Sequence, residues 1–476
     1  MRTQLGLFIA AICLLTSALT QAQTQPDITM TTSLPAGSKF TFSMVMTTGN
    51  DIFIDFGDGN KVYKAVSNTT TFTETLKGST VKIYNTLATN AITGIECKDM
   101  HLTAFDASNE PNIYWIDLSN NDLTSIDLSK NTNFNMLTLN YNKLKTLTVN
   151  GAVNMHSLFC AHNELTSVTL TNLGSLEWLD LDYNQLTTIN PAGCPKLYSL
   201  SVMYNQLSSV SLASNTNLWG VYLSDNKLKS INISALTALE YFSANDNQLT
   251  SLDISKNTLL KALHVANNQL AALNVDKNTS LSTLRLGGNN FTFKTLPLPK
   301  AQFTSYDYSS QNPIIIGKSY MPGQSVDLSS YKDGQGKAST YVWYDKDWNE
   351  IGADYVTVSN GIATFKKAYT DSIRCEIGNA DFPRLWFLTG YAFVGSTATG
   401  VGENKAPATT ITSSNNHLSV STDVTGNLAV FNVNGKLIKE IELTGHPVDV
   451  EVPGKGIYMV TIAAGKQVYS YKALAK

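Results

Sequence analysis

The sequence predicts a mainly β protein built around a solenoid of about ten 21-residue coils, flanked by immunoglobulin-like β-sandwich domains. Three observations predict it. Asparagine recurs every 21 residues, at Asn121, Asn142, Asn163, Asn184, Asn205, Asn226, Asn247, Asn268 and Asn289. Each stands in an apolar frame, L-x-x-L-x-L-x-x-N-x-L, which Leu176, Leu179, Leu181, Asn184 and Leu186 fill completely. Before and after this stretch, β-branched and aromatic residues alternate with polar ones between Gly- and Asn-marked turns, the period of strands. A unit this short buries its apolar side only by stacking on its neighbours.

The chain opens with Arg2 and an apolar run from Leu5 to Leu19, followed by small and polar residues around Ala22. Residues 1–22 therefore read as a cleaved signal peptide. Cys13, set between Ile12 and Leu14, fits a lipid-modified cysteine poorly. No later apolar span approaches the ~20 residues of a membrane-crossing helix. Charged residues make up 15% of the chain and the net charge is −3, with no basic run, which argues against nucleic acid as a partner. Cys97 and Cys160 fall on the inward frame position held elsewhere by Leu139 and Leu181. They lie three coils apart, about 14 Å at strand spacing, beyond the ~7 Å a disulfide spans. Cys97, Cys160, Cys194 and Cys375 thus read as small buried side chains. With no C-x-x-C and scattered histidines, neither a metal nor a cofactor is expected.

Residues 23–88 form a first β module. Within it, Ile52-Phe53-Ile54 runs into the tight turn Asp55-Phe56-Gly57-Asp58-Gly59-Asn60. This segment resembles the D-F-G-D-G hallmark of PKD-like domains, which implies an immunoglobulin-like N-terminal cap. Calcium at Asp55 and Asp58 lacks a supporting ligand series.

The repeats occupy residues 89–296. The first coil is degenerate: Ile92, Ile95, Cys97 and Leu102 fit the frame, but Met100 stands where Asn is expected. After the strand the chain turns over a dry interior, where a carboxamide carries both the donors and the acceptor that orphaned backbone groups need. The asparagines are therefore a structural ladder. The second half of each coil supplies another inward row, Leu147, Val168, Ile189, Val210, Ile231, Leu252 and Leu273, and is too short for helices. The whole pattern resembles the leucine-rich repeats of bacterial exported proteins, in an internalin-like layout.

The frame dissolves after Phe291, near Pro297 and Pro299. Residues 297–396 read as a β-sandwich capping the open end, with strands at Gln324–Leu328, Thr340–Tyr344, Tyr355–Val358, Ile362–Phe365, Ser372–Ile377 and Leu385–Thr389. A Thr/Ala/Ser/Gly-rich linker is expected at 397–414. In the final module, 415–476, Leu428–Val433 leads into an Asn434-Gly435 turn, and Lys436–Leu443, Val448–Val452 and Ile457–Ile462 continue the sheet. That turn, the Gly456-Ile457-Tyr458 step and the lysine-bearing end resemble the C-terminal sorting domain of type IX secretion in Bacteroidetes, which implies a secreted or outer-surface protein.

The outward columns of the repeats are strongly biased. The column before the ladder Asn reads Tyr141, His162, Tyr183, Tyr204, Asp225 and Asp246. Inside the L-x-L lie Phe159, Asp180 and Tyr222, and flanking columns add Trp115, Trp178, Tyr241, Tyr198 and Trp219. Solvated strands do not usually carry so many large rings, which act as interface anchors. Lateral stacking for stability is the competing explanation. All of these except Asp246, thirteen residues, are the expected ligand-binding surface on a concave face, for an extracellular protein or peptide, or alternatively a glycan. Asp180, Asp182, Glu177, Asp225, Glu240 and Asp246 against Lys261 and Arg285 favour a basic partner. His156 and His162 lie near carboxylates, yet no nucleophile elbow, phosphate loop or H-E-x-x-H spacing accompanies them, so no catalytic role is expected.

Overall fold

The computed structural model describes residues 25–47, 51–66, 68–85, 92–149, 151–309, 311–334, 336–395, 409–414, 417–432, 437–444, 446–464 and 467–475. The expected signal peptide, most of the linker and the Asn434-Gly435 turn lie outside them. The chain divides into two compact units, Met1–Ser396 and Thr397–Lys476.

The first module contains β1 (Ile28–Thr32), β2 (Lys39–Met46), β3 (Asp51–Asp55), β4 (Lys61–Ala65), β5 (Thr69–Thr75) and β6 (Thr80–Asn85). Alternation builds it: in β2, Phe40, Phe42, Met44 and Met46 point inward while the residues between them do not. Asp55 closes the turn after β3 by accepting from the amides of Gly57, Asp58 and Gly59 at 2.8, 3.1 and 3.0 Å. Its carboxylate is thereby occupied by backbone.

The first module and the repeats share their sheets. β7 (Ile92–Glu96), the first solenoid strand, pairs antiparallel with β2, and β8 (Leu102–Asp106), within the first coil, pairs antiparallel with β1. The cap thus extends the solenoid sheet and covers an edge that would otherwise invite association.

Three-residue strands then repeat: β9 (Trp115–Asp117), β10 (Met136–Thr138), β11 (Thr146–Thr148), β12 (Ser157–Phe159), β13 (Ser167–Thr169), β14 (Trp178–Asp180), β15 (Ser199–Ser201), β16 (Gly220–Tyr222), β17 (Tyr241–Ser243), β18 (Ala262–His264), β19 (Thr283–Arg285) and β20 (Ser305–Asp307). Thirteen strands form one sheet; β5 and β2 stand at one end, and the other eleven, from β7 to β20, run parallel. Their middle residues, such as Leu158, Leu179, Leu200 and Val221, are fully buried. On the opposite wall only β11 and β13 form strands, and one 3-10 turn spans Pro191–Gly193, so among the described residues this wall contains no α-helix.

The ladder is built as its chemistry requires. Asn205 Nδ2 donates to Leu181 O on the preceding coil and to Met203 O on its own, both at 3.0 Å, while its Oδ1 accepts from Leu186 N at 2.9 Å. The sheet runs one strand past residue 296, to β20, and Gln311 takes over the ladder there, donating to Leu286 O and Tyr308 O at 3.0 and 2.9 Å. A second ladder was not evident from sequence. Asn131, Asn215, Asn257 and Asn278 each donate to two carbonyls of the preceding coil, for example Asn215 to Pro191 O and Cys194 O at 2.9 and 2.8 Å. The four cysteines in the described residues are buried and unpaired with one another.

The third module stacks its sheet Ser339–Asp345, Ser372–Asn379, Trp386–Leu388, Ala392–Val394 and Ser319–Tyr320 against Ser325–Asp327, Ile362–Phe365 and Val356–Ser359. Phe382 and Phe387 meet Phe293 and Tyr308 from the last coils, closing the apolar end of the stack. The second unit has a three-stranded sheet (Thr410–Ser414, His417–Ser421, Val448–Glu451) and a four-stranded one (Leu437–Thr444, Thr425–Asn432, Gly456–Ala464, Gln467–Ala475) around Leu418, Leu428, Val430, Val460 and Ile462. Residues 410–414, expected as linker, are its first strand. Among the described residues no helix is long and apolar enough to cross a membrane, and no group of His, Cys, Asp and Glu is arranged to hold a metal ion.

Candidate recognition surface on the solenoid

Parallel registration by 21 residues turns each sequence column into a row of side chains across neighbouring coils. Two aromatic rows result, one where the strands begin, drawn from two adjacent columns, and one in the turn after the strands. The first consists of Trp178, Tyr198, Trp219 and Tyr241, with successive ring centroids 5.4, 5.4 and 4.5 Å apart. Trp219 Nε1 donates to Glu240 Oε2 at 2.8 Å, and Lys261 pairs with the same carboxylate at 2.7 Å.

The second row, Tyr141, His162, Tyr183 and Tyr204, does not lie on the strands. It occupies the turn that follows them, each residue in the left-handed region with φ between 53° and 56°. That turn delivers the next residue, the ladder Asn, into the core. Left-handed geometry costs a non-glycine residue about 1–2 kcal/mol. The rings stack at 4.2, 4.2 and 4.1 Å with interplanar angles of 10–12°, which offsets part of that cost. The expected concave-face residues of this column therefore form a rim.

Between the rows lies a shallow cavity of about 280 Å³, lined by Phe159, Trp178, Asp180, Ser199, Ser201, Met203 and Tyr222. Burial holds the Asp180 carboxyl above the usual carboxylate range, against opposing effects from the Asp182 amide and His162. Asp182 is pushed up to about 6, first by burial and then by the charge of Asp180, although Ser201 Oγ and Met203 N both donate to its Oδ1 at 2.6 Å. The Tyr183 hydroxyl and then the Asp225 charge push the Tyr204 phenol up to about 12.

Of the thirteen expected residues, Tyr141, Trp178, Tyr183, Tyr198 and Tyr204 are exposed, while Trp115, Phe159, His162, Asp180, Trp219, Tyr222, Asp225 and Tyr241 are half-buried. Trp115 stands apart from the two rows, its indole bedded on Gly94, where a Cβ would meet Nε1 at 2.0 Å. Part of the acidity is used internally: Asp182 by backbone and serine, Glu240 by Trp219 and Lys261, and Asp246 by Asn267. The histidines are also engaged. His162 is stacked between two tyrosines, and His156 Nδ1 contacts Asn135 Nδ2 at 2.8 Å and Asn154 O at 2.9 Å.

Sequence reasoning missed Ser199 and Met203, small or apolar lining residues with no chemical signature. It also missed an exposed aromatic cluster on the third module. There the Arg374 guanidinium lies 3.5 Å over the Trp348 ring and 5.1 Å from Tyr391.

The coil length, parallel register and asparagine ladder define a leucine-rich-repeat solenoid. Residues 410–476, within the second unit, match the family model described as the secretion system C-terminal sorting domain. The protein is accordingly a secreted or outer-surface one. Similar solved structures include the functional domain of InlJ from Listeria monocytogenes, with TM-score 0.48 and 17% identity over 63% of this chain and 71% of that one. Another is the leucine-rich effector protein YopM from Yersinia pestis, with TM-score 0.42 and 25% identity over 46% and 61%. No curated protein matches the chain.

Proposed function

We propose that this protein is a non-catalytic recognition protein of the cell exterior, whose solenoid binds a protein or peptide between the two aromatic rows. The observation that carries this reading is the pairing of both rows with a cavity of mixed aromatic and acidic lining over the same coils. Large rings with polar tips, held rigidly by the coils beneath, lose little affinity to receptor ordering.

Ring orientation favours protein over glycan. A sugar stacks on an open aromatic face, but the rim rings face one another at 4.1–4.2 Å and present edges and hydroxyls outward. Edges and hydroxyls suit peptide backbone and polar side chains.

The test is a screen of the purified protein against extracellular proteins and a glycan array, followed by the variant in which Trp178, Tyr183 and Tyr204 are all alanine. The variant is expected to keep its circular dichroism spectrum and to lose capture of the screened ligand. A ligand held at full affinity by that variant overturns the reading, and glycan hits without protein hits replace the partner class.

A further inference from the structure

Asp180 occupies an unusual position on this surface. It stands at the end of β14, half-buried on the floor of the cavity, with Phe159 and Tyr222 in the same row one coil before and two coils after, and Trp178 at the other end of its own strand. One oxygen, Oδ1, accepts from the Asp182 amide at 3.0 Å. No ion pair among the described residues includes it, although the surrounding surface contains several, such as Lys261 with Glu240 and Lys143 with Asp122. The adjacent carboxylate, Asp182, adds negative charge and is itself met by only a hydroxyl and an amide.

A half-buried carboxylate without a cation lowers the stability of the fold that contains it. Binding removes that penalty when the ligand brings the missing charge. The walls suit the same ligand: an ammonium or guanidinium group is attracted to the faces of Trp, Tyr and Phe within about 6 Å, and its methylene stem packs against them. Serines at 199 and 201 leave room that larger side chains would fill, and Met203 supplies a soft, adaptable surface.

We infer that this cavity is the anchor pocket for one basic side chain, lysine or arginine, of the protein partner, with Asp180 as its counter-ion and Trp178, Tyr222 and Phe159 as its aromatic walls. The inference rests on the recognition reading above and specifies the chemistry of its central contact. An acidic or purely apolar partner side chain would leave the Asp180 charge buried and unmatched.

The experiment uses the full chain and fluorescently labelled tetralysine, tetraarginine, tetraglutamine and tetraglutamate peptides, with binding read by anisotropy. Saturable binding of tetralysine or tetraarginine, or both, is expected, and the stronger of the two identifies the preferred head group. Asp180→Asn keeps the shape and the Oδ1 acceptor but removes the charge. It is expected to weaken the cationic peptides about tenfold or more, the scale of a lost charge-assisted hydrogen bond. Because burial disfavours the charged form, the same variant should melt at or above the wild-type temperature. Asp253→Asn, exposed in the second half of its coil and keeping the acceptor for Ser255 N, controls for diffuse attraction and should change affinity less than about twofold.

Equal binding of tetraglutamine overturns the inference. So does an Asp180→Asn affinity within twofold of wild type, or an equal loss in Asp253→Asn. If the aromatic triple variant loses a screened protein ligand that Asp180→Asn holds at full affinity, the surface reading stands and the pocket inference falls.

Discussion

Replacing Asn247 by alanine tests the ladder one coil beyond the last residue that lines the aromatic cavity. Its carboxamide has two protons, shared among Leu223 O at 2.9 Å, Asn245 O at 3.0 Å and Ala244 O at 3.3 Å, and its Oδ1 accepts from Leu228 N at 2.9 Å. The acceptors and the donor are not equivalent. Leu223 O also receives Asn226 Nδ2, Asn245 O receives Asp225 N, and Ala244 O receives Asn268 Nδ2, so each carbonyl keeps a partner in the variant. Leu228 N–H keeps none that the coil supplies, and it is buried. An orphaned buried donor costs about 1–3 kcal/mol, and the lost bonds add about 1 kcal/mol. The expected destabilisation is therefore about 3 kcal/mol, with the amide of Leu228 as its centre.

Stacked repeats are not strictly two-state, so a urea midpoint alone is an insufficient readout. Hydrogen exchange resolved to the residue is the decisive assay. In the wild type Leu228 N–H should exchange only with opening of the stack; in Asn247→Ala it should exchange much faster, with protection falling off over neighbouring coils. A urea shift corresponding to less than about 1 kcal/mol, with Leu228 still protected, would refute the assignment of that amide as the controlling group.

Three further outcomes follow from the same structure. Asn257→Leu, in the second ladder, should cost no more than about 1 kcal/mol by chemical denaturation: Ile233 O and Leu236 O retain the amides of Leu236 and Leu239, the Asn257 Oδ1 has no partner to lose, and Leu173 and Leu236 already fill the same place in other coils. Glu110 is 1% exposed, and burial first, then the Asp27 charge, pushes its carboxyl up to about 8 from 4.5. Its contribution to stability is complete below about 4.5 and is lost as pH rises through about 8, so the melting temperature should fall across that window and Glu110→Gln should flatten the fall. Deleting residues 410–476 should leave the 1–396 unit folded by circular dichroism while export fails and the protein accumulates inside the cell envelope; unimpaired export of the truncated chain would contradict the sorting role.

What the sequence made legible was whatever repeats with one chemistry. The first ladder is visible because each coil presents a buried amide that a carboxamide on the following coil satisfies, so Asn recurs without exception from 121 to 289. The second ladder is invisible because its place runs Asn131, Ala152, Leu173, Cys194, Asn215, Leu236, Asn257 and Asn278. The carbonyls there already have donors, so the side chain is optional. The last coil was hidden by one inserted residue, which moves the ladder to Gln311, and by Pro297 and Pro299. Pairing of β1 with β8 and β2 with β7 joins segments far apart in sequence and leaves no period to read. The candidate surface was legible as columns of residue types. That one column is a left-handed turn was not, because nothing in a run of Tyr and His announces positive φ.

That turn bears on whether the rim tyrosines serve stability alone. The same left-handed place is filled by Asn120, Asp225, Asp246 and Asn267, with φ of 57°, 58°, 53° and 54°, and these types tolerate it well. Turn geometry therefore asks for Asn or Asp, and tyrosine at 141, 183 and 204 is a departure from what the backbone prefers. Stacking recovers part of the cost, but a row of Asn or Asp would not have incurred it. The departure is also local. It is confined to the coils from 141 to 204, and the opposite aromatic row spans 178 to 241, so the two overlap around the coils that line the cavity. A purely structural use of aromatics has no reason to concentrate on both sides of one cavity. Substituting Tyr183 by Asn separates the two uses: the turn should be as stable as before or more so, while ligand capture should fall.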